Sequence, residues 1–213
     1  MIEAALFDLD GTLLDSEVLW VEATERYLND RGHAVGYEDA LMIVYGRSWS
    51  DVYAGVLERF PELDETMEEM EESLRAYMLD LREGRDVVIA GSVALLRRLA
   101  DQMPIAIVSG SPCADIEAAI DLFGLRDAVS FSLGAEDYGP GKPDPSCFLM
   151  AAERLGVNPE QCVVFEDSAA GVLAAKSAGM SCVALVRPGL PEQDVTSADR
   201  VVEDLGDFDI ATL

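Results

Sequence analysis

The stretch LFDLDGTLLDSE, which runs from Leu6 to Glu17, places two carboxylates two positions apart at the end of an apolar run. The run itself, Ala4–Asp8, is typical of a short buried strand that leads into a polar site. Because like carboxylates repel each other, bringing Asp8 and Asp10 together costs free energy unless a cation or a shared proton offsets the repulsion. The stretch therefore predicts a chemical site at the end of the first strand.

Later parts of the chain repeat this pattern of a short apolar run closed by a polar or small residue. The runs that predict strands are Ala4–Asp8, Ile105–Ser109, Val129–Ser132, Cys162–Glu166 and Cys182–Val186, with Val201 and Val202 as a last edge strand. Helical patterns lie between them at Ser92–Asp101, Cys113–Phe123, Asp144–Leu155 and Ala169–Ala178. Strands that alternate with helices predict an α/β fold, with a mainly parallel sheet wound by helices. In such a sheet, ligands bind at the carboxyl ends of the strands.

The region that follows the first strand carries no strand pattern until about residue 84. A helix capped by Ser16 and extending to Asp30 is predicted first. Apolar residues at three- and four-residue steps between Leu63 and Leu81 predict another helix. We therefore expect a helical cap, residues 16–84, inserted into an α/β core of residues 1–15 and 85–213, with hinges at Leu14–Ser16 and Arg82–Val87.

The composition argues against several classes of protein. A net charge of −26 over 213 residues opposes binding to nucleic acid or to an anionic membrane, because both depend on basic patches. No apolar stretch reaches membrane-spanning length. The four cysteines form no CxxC pair and His33 is the single histidine, so neither a zinc site nor a histidine metal cluster is predicted. Reduced thiols in a cytoplasmic protein are expected, and no pattern indicates an oligomeric state.

The polar residues at the predicted strand ends form one chemically coherent set. They are Asp8, Asp10, Ser109, Lys142, Glu166 and Asp167. Carboxylates without histidines are hard ligands suited to Mg²⁺, whereas a hydroxyl, a lysine and the backbone amides of Ser109–Ser111 before a helix suit a phosphate. A cation at Asp8 and Asp167 would also offset the repulsion at the first strand end. The set predicts phosphoryl transfer, in which the protein supplies positioning and charge neutralisation.

Four motifs in order resemble those of the haloacid dehalogenase (HAD) superfamily. They are DLDGT at Asp8–Thr12, VSGS at Val108–Ser111, GKPDP at Gly141–Pro145 and FEDS at Phe165–Ser168. The resemblance covers essentially the whole chain and is greatest to the branch with a small helical cap, which holds phosphoglycolate phosphatases, sugar-phosphate phosphatases and β-phosphoglucomutases. It implies a HAD-like Rossmannoid core with an inserted α-helical cap. It also implies a Mg²⁺-dependent phosphatase for a small phosphorylated metabolite, such as a sugar phosphate.

Catalytic and metal-binding roles follow from this resemblance. It implies that Asp8 attacks phosphorus and forms an aspartyl-phosphate. Asp10 would protonate the leaving oxygen and then take a proton from the hydrolytic water. Mg²⁺ would be held by Asp8, the backbone carbonyl of Asp10 and Asp167, with Glu166 in or near that set.

Binding roles follow in the same way. The resemblance implies that Ser109 and the Gly110 amide bind phosphoryl oxygens, while Lys142 neutralises charge between the nucleophile and the phosphate. Candidate substrate contacts are Ser16, Trp20, Arg47 and Ser111. Each of these four has a structural alternative: a helix cap for Ser16 and Ser111, core packing for Trp20, and a surface or bundle-buried arginine for Arg47.

Single residues separate the possible functions within the superfamily. Asp10 argues against a dehalogenase, whose leaving group needs no proton, and a cap without lysine argues against Schiff-base phosphonate hydrolysis. The β-phosphoglucomutase branch has a histidine where this chain has Trp20, and a Lys-Gly cap loop where it has Tyr45–Asp51. A sugar-phosphate mutase is therefore the alternative to a phosphatase. A phospho-accepting regulatory domain of receiver type, without turnover, is a further alternative, which the inserted helices and Asp10 oppose.

Overall fold

The computed structural model describes residues 1–47 and 49–213. Position 48, which falls in the stretch Tyr45–Asp51, lies outside the described residues. The chain divides into two compact units: Met1–Leu14 with Val88–Leu213, and Asp15–Val87. We call the first the core unit and the second the helical unit.

The core unit contains a parallel sheet. Within the described residues its strands are β1 (Ala4–Phe7), β2 (Ile105–Val108), β3 (Phe131–Leu133), β4 (Cys162–Glu166), β5 (Ser181–Leu185) and β6 (Arg200–Val202). Their order across the sheet is β3-β2-β1-β4-β5-β6, and each adjacent pair is parallel. The predicted α/β fold is confirmed. The strand β3 begins later than predicted because the N–H groups of Ala128 and Val129 still donate to the Leu125 carbonyl in a turn.

Helices follow the strands of the core unit and make up the helical unit. The α-helices are α1 (Ser16–Asp30), α2 (Tyr37–Val44), α3 (Trp49–Arg59), α4 (Met67–Arg82), α5 (Ala90–Ala100), α6 (Cys113–Leu122), α7 (Ser146–Leu155) and α8 (Ala169–Ser177). Short 3₁₀ turns lie at Pro159–Gln161 and Ile210–Thr212. In the part of the chain that the structure describes, no helix combines the length and the apolar composition needed to cross a bilayer.

The central strands β1, β2 and β4 are buried on both faces, which explains why their sequences are continuous apolar runs. Leu6 of β1 lies in register with Ala106 and Val164, and all three belong to one buried cluster with residues of α7 and α8. Successive side chains of a strand point to opposite faces, so Phe7 lies on the other side. There it stacks on Phe165, with 4.5 Å between ring centroids.

The strand order determines where the polar strand ends meet. The strand β1 is central, with β2 on one side and β4 on the other. The residue after β1 is therefore flanked by the ends of two neighbouring strands, which is the point where open α/β sheets bind ligands.

The chain leaves and re-enters the core unit at adjacent points. Leu14 and Val88 form an antiparallel bridge, and the Ile89 N–H donates to the Leu13 carbonyl at 3.0 Å. One residue further along, the Asp15 N–H donates to the Val87 carbonyl at 2.8 Å. The two passes of the chain are thus held side by side.

Within the helical unit, α1 packs against α2 and α4. Met70, Leu74 and Met78 form the buried stripe of α4. Near the end of α1, the Tyr27 hydroxyl donates to Glu65 at 2.8 Å, and the same carboxylate accepts from the Arg31 guanidinium at 2.6 Å. An apolar stripe and the half-buried Glu65 carboxylate therefore fix how these helices pack.

The prediction that Ser16 caps α1 is wrong. Asp15 occupies the N-cap position and no side chain caps the helix. Ser16 is the first helical residue and is buried. Because the backbone of Asp15 is already held by Val87, the helix begins one residue earlier than a Ser16 cap requires. Side-chain capping is found at α4 instead, where Thr66 and Glu69 form a capping box.

Replacing Thr66 with alanine tests this capping box. The Thr66 hydroxyl accepts from the Glu69 N–H at 3.3 Å, and the Glu69 carboxylate accepts from the Thr66 N–H at 2.8 Å. We expect Thr66→Ala to lower the free energy of unfolding by about 0.5–2 kcal/mol, measured by urea denaturation. Thr66→Ser keeps the acceptor and should change it by far less. Equal losses in both variants would show that the capping bond is not the source.

Candidate active site

Asp8 continues directly from the central strand and is only 6% exposed. Its N–H donates to the Phe165 carbonyl at 3.0 Å, which extends the pairing of β1 with β4 by one residue. Its carboxylate accepts from the Lys142 ammonium at 2.5 Å. The sheet therefore fixes the backbone of Asp8, and a single cationic side chain fixes its carboxylate.

Lys142 joins the ends of three strands. Its Nζ donates to Asp8 Oδ1 at 2.5 Å, to Glu166 Oε1 at 2.7 Å and to the Val108 carbonyl at 3.1 Å. An ammonium group has three protons to donate, so these contacts use all of them. The Lys142 side chain is 11% exposed and those of its carboxylate partners are exposed even less.

The charges of this cluster do not balance. Burial raises the pKa of Asp8 well above its ordinary value, Lys142 opposes this, and Glu166 and Asp10 raise it further. For Lys142, burial would lower the pKa, but Asp8 and Glu166 outweigh it and raise the pKa well above its ordinary value. The ammonium therefore stays charged, whereas Asp8 needs additional positive charge nearby to remain an ionised nucleophile.

Asp10 is turned toward the loop after β2. Its Oδ2 accepts from the Ser111 hydroxyl at 2.5 Å and from the Ser109 hydroxyl at 3.1 Å. The Ser111 N–H in turn donates to the Ser109 hydroxyl at 3.0 Å. The structure thus brings Asp10, Ser109 and Ser111 together. It also shows that Ser111 does not cap α6, whose N-cap position is Pro112 and has no side-chain cap bond.

Gly11 lets the chain turn sharply beside Asp167. Its φ is +81°, which L side chains rarely adopt, and a Cβ there would lie 2.1 Å from Asp167 Oδ2. Asp167 is 7% exposed and its Oδ1 accepts from the Thr12 hydroxyl at 3.1 Å. The motif DLDGT therefore supplies the space and one donor for a carboxylate from β4.

Glu166 is bound on both oxygens. Oε1 accepts from Lys142, and Oε2 accepts from the N–H groups of Asp167 and Ser168 at 2.9 and 2.8 Å and from the Ser168 hydroxyl at 2.9 Å. The Ser168 hydroxyl also caps α8 by accepting from the Gly171 N–H. Glu166 therefore links the Lys142 ammonium to the backbone that leads into α8.

Most of the predicted core site residues lie in two hydrogen-bonded groups, and Asp167 is bound separately by Thr12. Lys142 gathers Asp8 and Glu166, while Ser109 and Ser111 gather Asp10; Gly110 lies between the two serines with open space where a Cβ would stand. The four predicted metal-ligand residues are not gathered into one cluster: in the described residues, no three His, Cys, Asp or Glu side chains are placed to hold a metal. Asp8 and Asp167 offer buried hard oxygen donors for one.

The remaining candidates lie in the helical unit. Ser16 is buried, Trp20 is half-buried and Arg47 is exposed. Trp20 precedes Ala23 and Tyr27, which are both buried, so its helix face is a packed one. None of these placements tests a contact with substrate, and their roles stay predictions.

Two residues make specific contacts in the structure although the sequence predicted no functional role for them. Thr12 binds Asp167, and the DLDGT motif was the signal that could have indicated this. Tyr138 donates its buried hydroxyl to the Ser109 carbonyl at 2.8 Å. It is a lone aromatic residue in a loop, and no sequence pattern indicated it.

A profile of the family described as haloacid dehalogenase-like hydrolase matches residues 2–179, a span that includes all four motifs and the whole helical unit. The chain belongs to the haloacid dehalogenase-like hydrolases. Validoxylamine A 7′-phosphate phosphatase of Streptomyces hygroscopicus subsp. limoneus is 34% identical to it over 207 residues, which cover 96% of this chain and 95% of that protein. Fructose-1-phosphate phosphatase of Escherichia coli K12 is 32% identical over 180 residues, covering 84% and 93%.

A solved structure confirms the fold of this haloacid dehalogenase-like hydrolase. The β-phosphoglucomutase of Clostridium difficile superimposes with a TM-score of 0.79 at 26% identity, covering 100% of this chain and 95% of that one. Family membership and the named phosphatases together make the chain a phosphoric monoester hydrolase. These matches give no support to a regulatory phospho-acceptor without turnover.

Gly171 provides a test of the Glu166 arrangement. A Cβ at Gly171 would lie 1.7 Å from Glu166 Oε1 and 1.9 Å from its Cδ, so Gly171→Ala must displace the carboxylate and leave buried donors unpaired. We expect a loss of about 1–3 kcal/mol in the free energy of unfolding, measured by urea denaturation. Gly55→Ala in α3 is the matched control, since its Cβ would meet only an Arg47 nitrogen at 3.4 Å.

The control separates crowding from helix propensity. Alanine favours a helix over glycine by about 1 kcal/mol, so Gly55→Ala should be neutral or stabilising. A Gly171→Ala variant as stable as Gly55→Ala would contradict the close approach of Glu166.

Proposed function

We propose that the chain is a Mg²⁺-dependent phosphatase that hydrolyses a small phosphorylated metabolite through an aspartyl-phosphate on Asp8. The observation that carries the proposal is the pairing of the buried Asp8 carboxylate with Lys142 at 2.5 Å, beside a second acid, Asp10, held by two hydroxyls of the next loop. A nucleophile, a charge-neutralising group and an acid thus lie at one edge of the sheet.

Asp8 is suited to be the nucleophile because its backbone is fixed by β4 and one carboxylate oxygen is fixed by Lys142. A positioned carboxylate that attacks phosphorus divides a difficult hydrolysis into two easier steps. In the first step the Asp8–phosphorus bond forms as the bond from phosphorus to the ester oxygen breaks. In the second step, water displaces the aspartate and releases phosphate.

Asp10 is suited to move the protons of both steps. In its protonated form it would give a proton to the departing ester oxygen, and as a carboxylate it would then take a proton from the attacking water. Ser109 and Ser111 hold its carboxylate beside the loop that carries the Gly110 amide. The acid and the proposed phosphate donors are therefore kept together.

The residues present fit a hard divalent cation. Burial raises the pKa of Asp8, and the neighbouring carboxylates of Glu166 and Asp10 raise it further, so added positive charge is needed to keep Asp8 ionised. Oxygen donors without histidine or thiolate suit Mg²⁺. We propose Asp8, Asp167 and the Asp10 carbonyl as ligands, with Glu166 adjacent to them. When bound, Mg²⁺ supplies positive charge that stabilises the ionised nucleophile and the charge on the phosphoryl group.

A small phosphate ester, such as a sugar phosphate, is the proposed substrate class. Relatives over nearly the full chain are named for fructose 1-phosphate and validoxylamine A 7′-phosphate. We propose that the helical unit acts as the cap that selects the substrate, with Ser16, Trp20 and Arg47 as candidate contacts and Ser111 as a candidate in the core unit. The free thiols fit the expected cytoplasmic location.

Replacing the nucleophile tests the mechanism. We expect Asp8→Asn to release no measurable phosphate from a panel of sugar phosphates, nucleotides and phosphoglycolate, because an amide does not attack phosphorus. The wild type should hydrolyse at least one of them, and EDTA should abolish that activity until Mg²⁺ is restored. Asp101→Asn, which alters an exposed carboxylate of the core unit, is the control. Phosphate release by Asp8→Asn would rule the mechanism out.

Replacing the acid separates the two proton transfers. General acid–base catalysis contributes about 10²–10⁴-fold, so Asp10→Asn should lose that much turnover on sugar phosphates. With p-nitrophenyl phosphate, whose leaving group needs no proton, we expect a rapid burst of about one p-nitrophenol per chain followed by slow turnover. Rapid-mixing absorbance measures the burst. Equal slowing of both substrates without a burst would contradict the two roles of Asp10.

A sugar-phosphate mutase is the second candidate, favoured by the structural likeness to a β-phosphoglucomutase. A mutase would isomerise a sugar monophosphate in the presence of a bisphosphate primer. Phosphorus NMR distinguishes the outcomes, since a phosphatase yields inorganic phosphate and a mutase yields a second sugar monophosphate. Isomerisation faster than phosphate release would favour the mutase.

A further inference from the structure

The loop after β2 is held by a neighbouring segment of the core unit through its carbonyl groups. Lys142 donates to the Val108 carbonyl at 3.1 Å, the Tyr138 hydroxyl to the Ser109 carbonyl at 2.8 Å, and the Ala135 N–H to the Ser111 carbonyl at 3.0 Å. Three carbonyls in a four-residue stretch thus bind donors from one segment, residues 135–142. This segment fixes the direction of the loop's peptide groups.

Of the three carbonyls, that of Ser109 matters most, because it shares a peptide unit with the Gly110 N–H. A peptide unit is planar and trans, so the Ser109 carbonyl and the Gly110 N–H point in opposite directions. The carbonyl points toward Tyr138, which belongs to the buried cluster under the sheet. The Gly110 N–H therefore points away from that cluster.

Gly110 is placed to offer this N–H to a ligand. It is exposed, and a Cβ there would meet no atom within 4 Å. Over residues 1–47 and 49–213, its N–H makes no hydrogen bond within the protein. Glycine also allows a peptide group to rotate more readily than other residues do, so the direction of this N–H needs an external restraint.

We propose that Tyr138 is a positioning residue that orients the Ser109–Gly110 peptide so that its N–H receives a phosphoryl oxygen. This inference rests on the proposed function, since it assumes that a phosphoryl group binds at this loop. Tyr138 does not touch the substrate and acts through the Ser109 carbonyl.

The surroundings of Tyr138 suit such a restraint. Its side chain is 9% exposed, so the hydroxyl has little access to water as an alternative partner. Burial raises the pKa of Tyr138 to about 12, and the hydroxyl keeps its proton at working pH. A phenylalanine or an aliphatic residue would fill the same space and leave the peptide group unrestrained.

The test compares two tyrosines that each donate to one backbone carbonyl. Tyr138 donates to Ser109, and Tyr53 of the helical unit donates to Glu65 at 2.9 Å. Tyr138→Phe should raise the KM for p-nitrophenyl phosphate and the inhibition constant of inorganic phosphate by the same factor, about 3- to 10-fold, the size that the loss of one hydrogen bond produces. Tyr53→Phe should leave both constants within twofold of wild type.

Rescue distinguishes a donor from a space-filling ring. Replacing Tyr138 with 4-aminophenylalanine keeps a donor on the same ring and should restore most of the affinity for phosphate. If Tyr138→Phe does not fold, 4-aminophenylalanine and 4-methylphenylalanine at position 138, which have similar volumes with and without a donor, carry the comparison.

The outcomes separate this inference from the proposed function. An active wild type whose constants are unchanged in Tyr138→Phe, or equal constants in the two 4-substituted variants, would overturn the role of Tyr138 alone. A wild type that hydrolyses no phosphate monoester would contradict the proposed function on which the inference rests.

Discussion

The contact of Lys142 with Asp8 and Glu166 is the interaction on which the candidate site depends. Buried charges are stable only when each has a partner, and removing one partner of a buried pair is far more damaging than its surface equivalent. Lys142 satisfies two carboxylates and a strand-end carbonyl at once. It therefore joins the ends of β1, β2 and β4 through one nitrogen. Lysine and arginine together number 15 against 41 acidic residues, so positive charge is scarce in this chain.

The other carboxylates are stabilised separately, each by its own donors. Asp10 has the hydroxyls of Ser109 and Ser111, Asp167 has Thr12, and Glu166 has the first amides of the loop before α8. Gly11 and Gly171 leave the room for these acids to approach the backbone closely. The repulsion expected from acids at neighbouring strand ends is thus reduced by distributing them among distinct partners, while Asp8 keeps an environment that favours a cation.

Much of the fold was predictable because buried strands and amphipathic helices leave periodic patterns. The central strands and α1 follow those patterns closely, whereas β3 and the capping of α1 do not. In both exceptions a backbone hydrogen bond, from Val129 or from Asp15, decided the boundary, and such bonds leave no trace in side-chain pattern. The motif residues could be placed at one edge of the sheet because they follow predicted parallel strands, whose carboxyl ends form the ligand-binding edge. The proposed role of Tyr138 could not be predicted from the sequence, because it depends on the position of its hydroxyl relative to the Ser109 carbonyl.

The antiparallel bridge between Leu14 and Val88 has a consequence for how this protein family diversifies. The inserted segment leaves and rejoins the core unit at neighbouring positions. The bridge holds these two positions together, whatever the length of the chain between them. The entropy of closing a loop grows only with the logarithm of its length. A lineage can therefore lengthen, shorten or exchange the segment Asp15–Val87 without shifting the register of the sheet. Under the proposed function, such changes would alter substrate preference in the helical unit while the proposed phosphate chemistry of the core unit stayed the same.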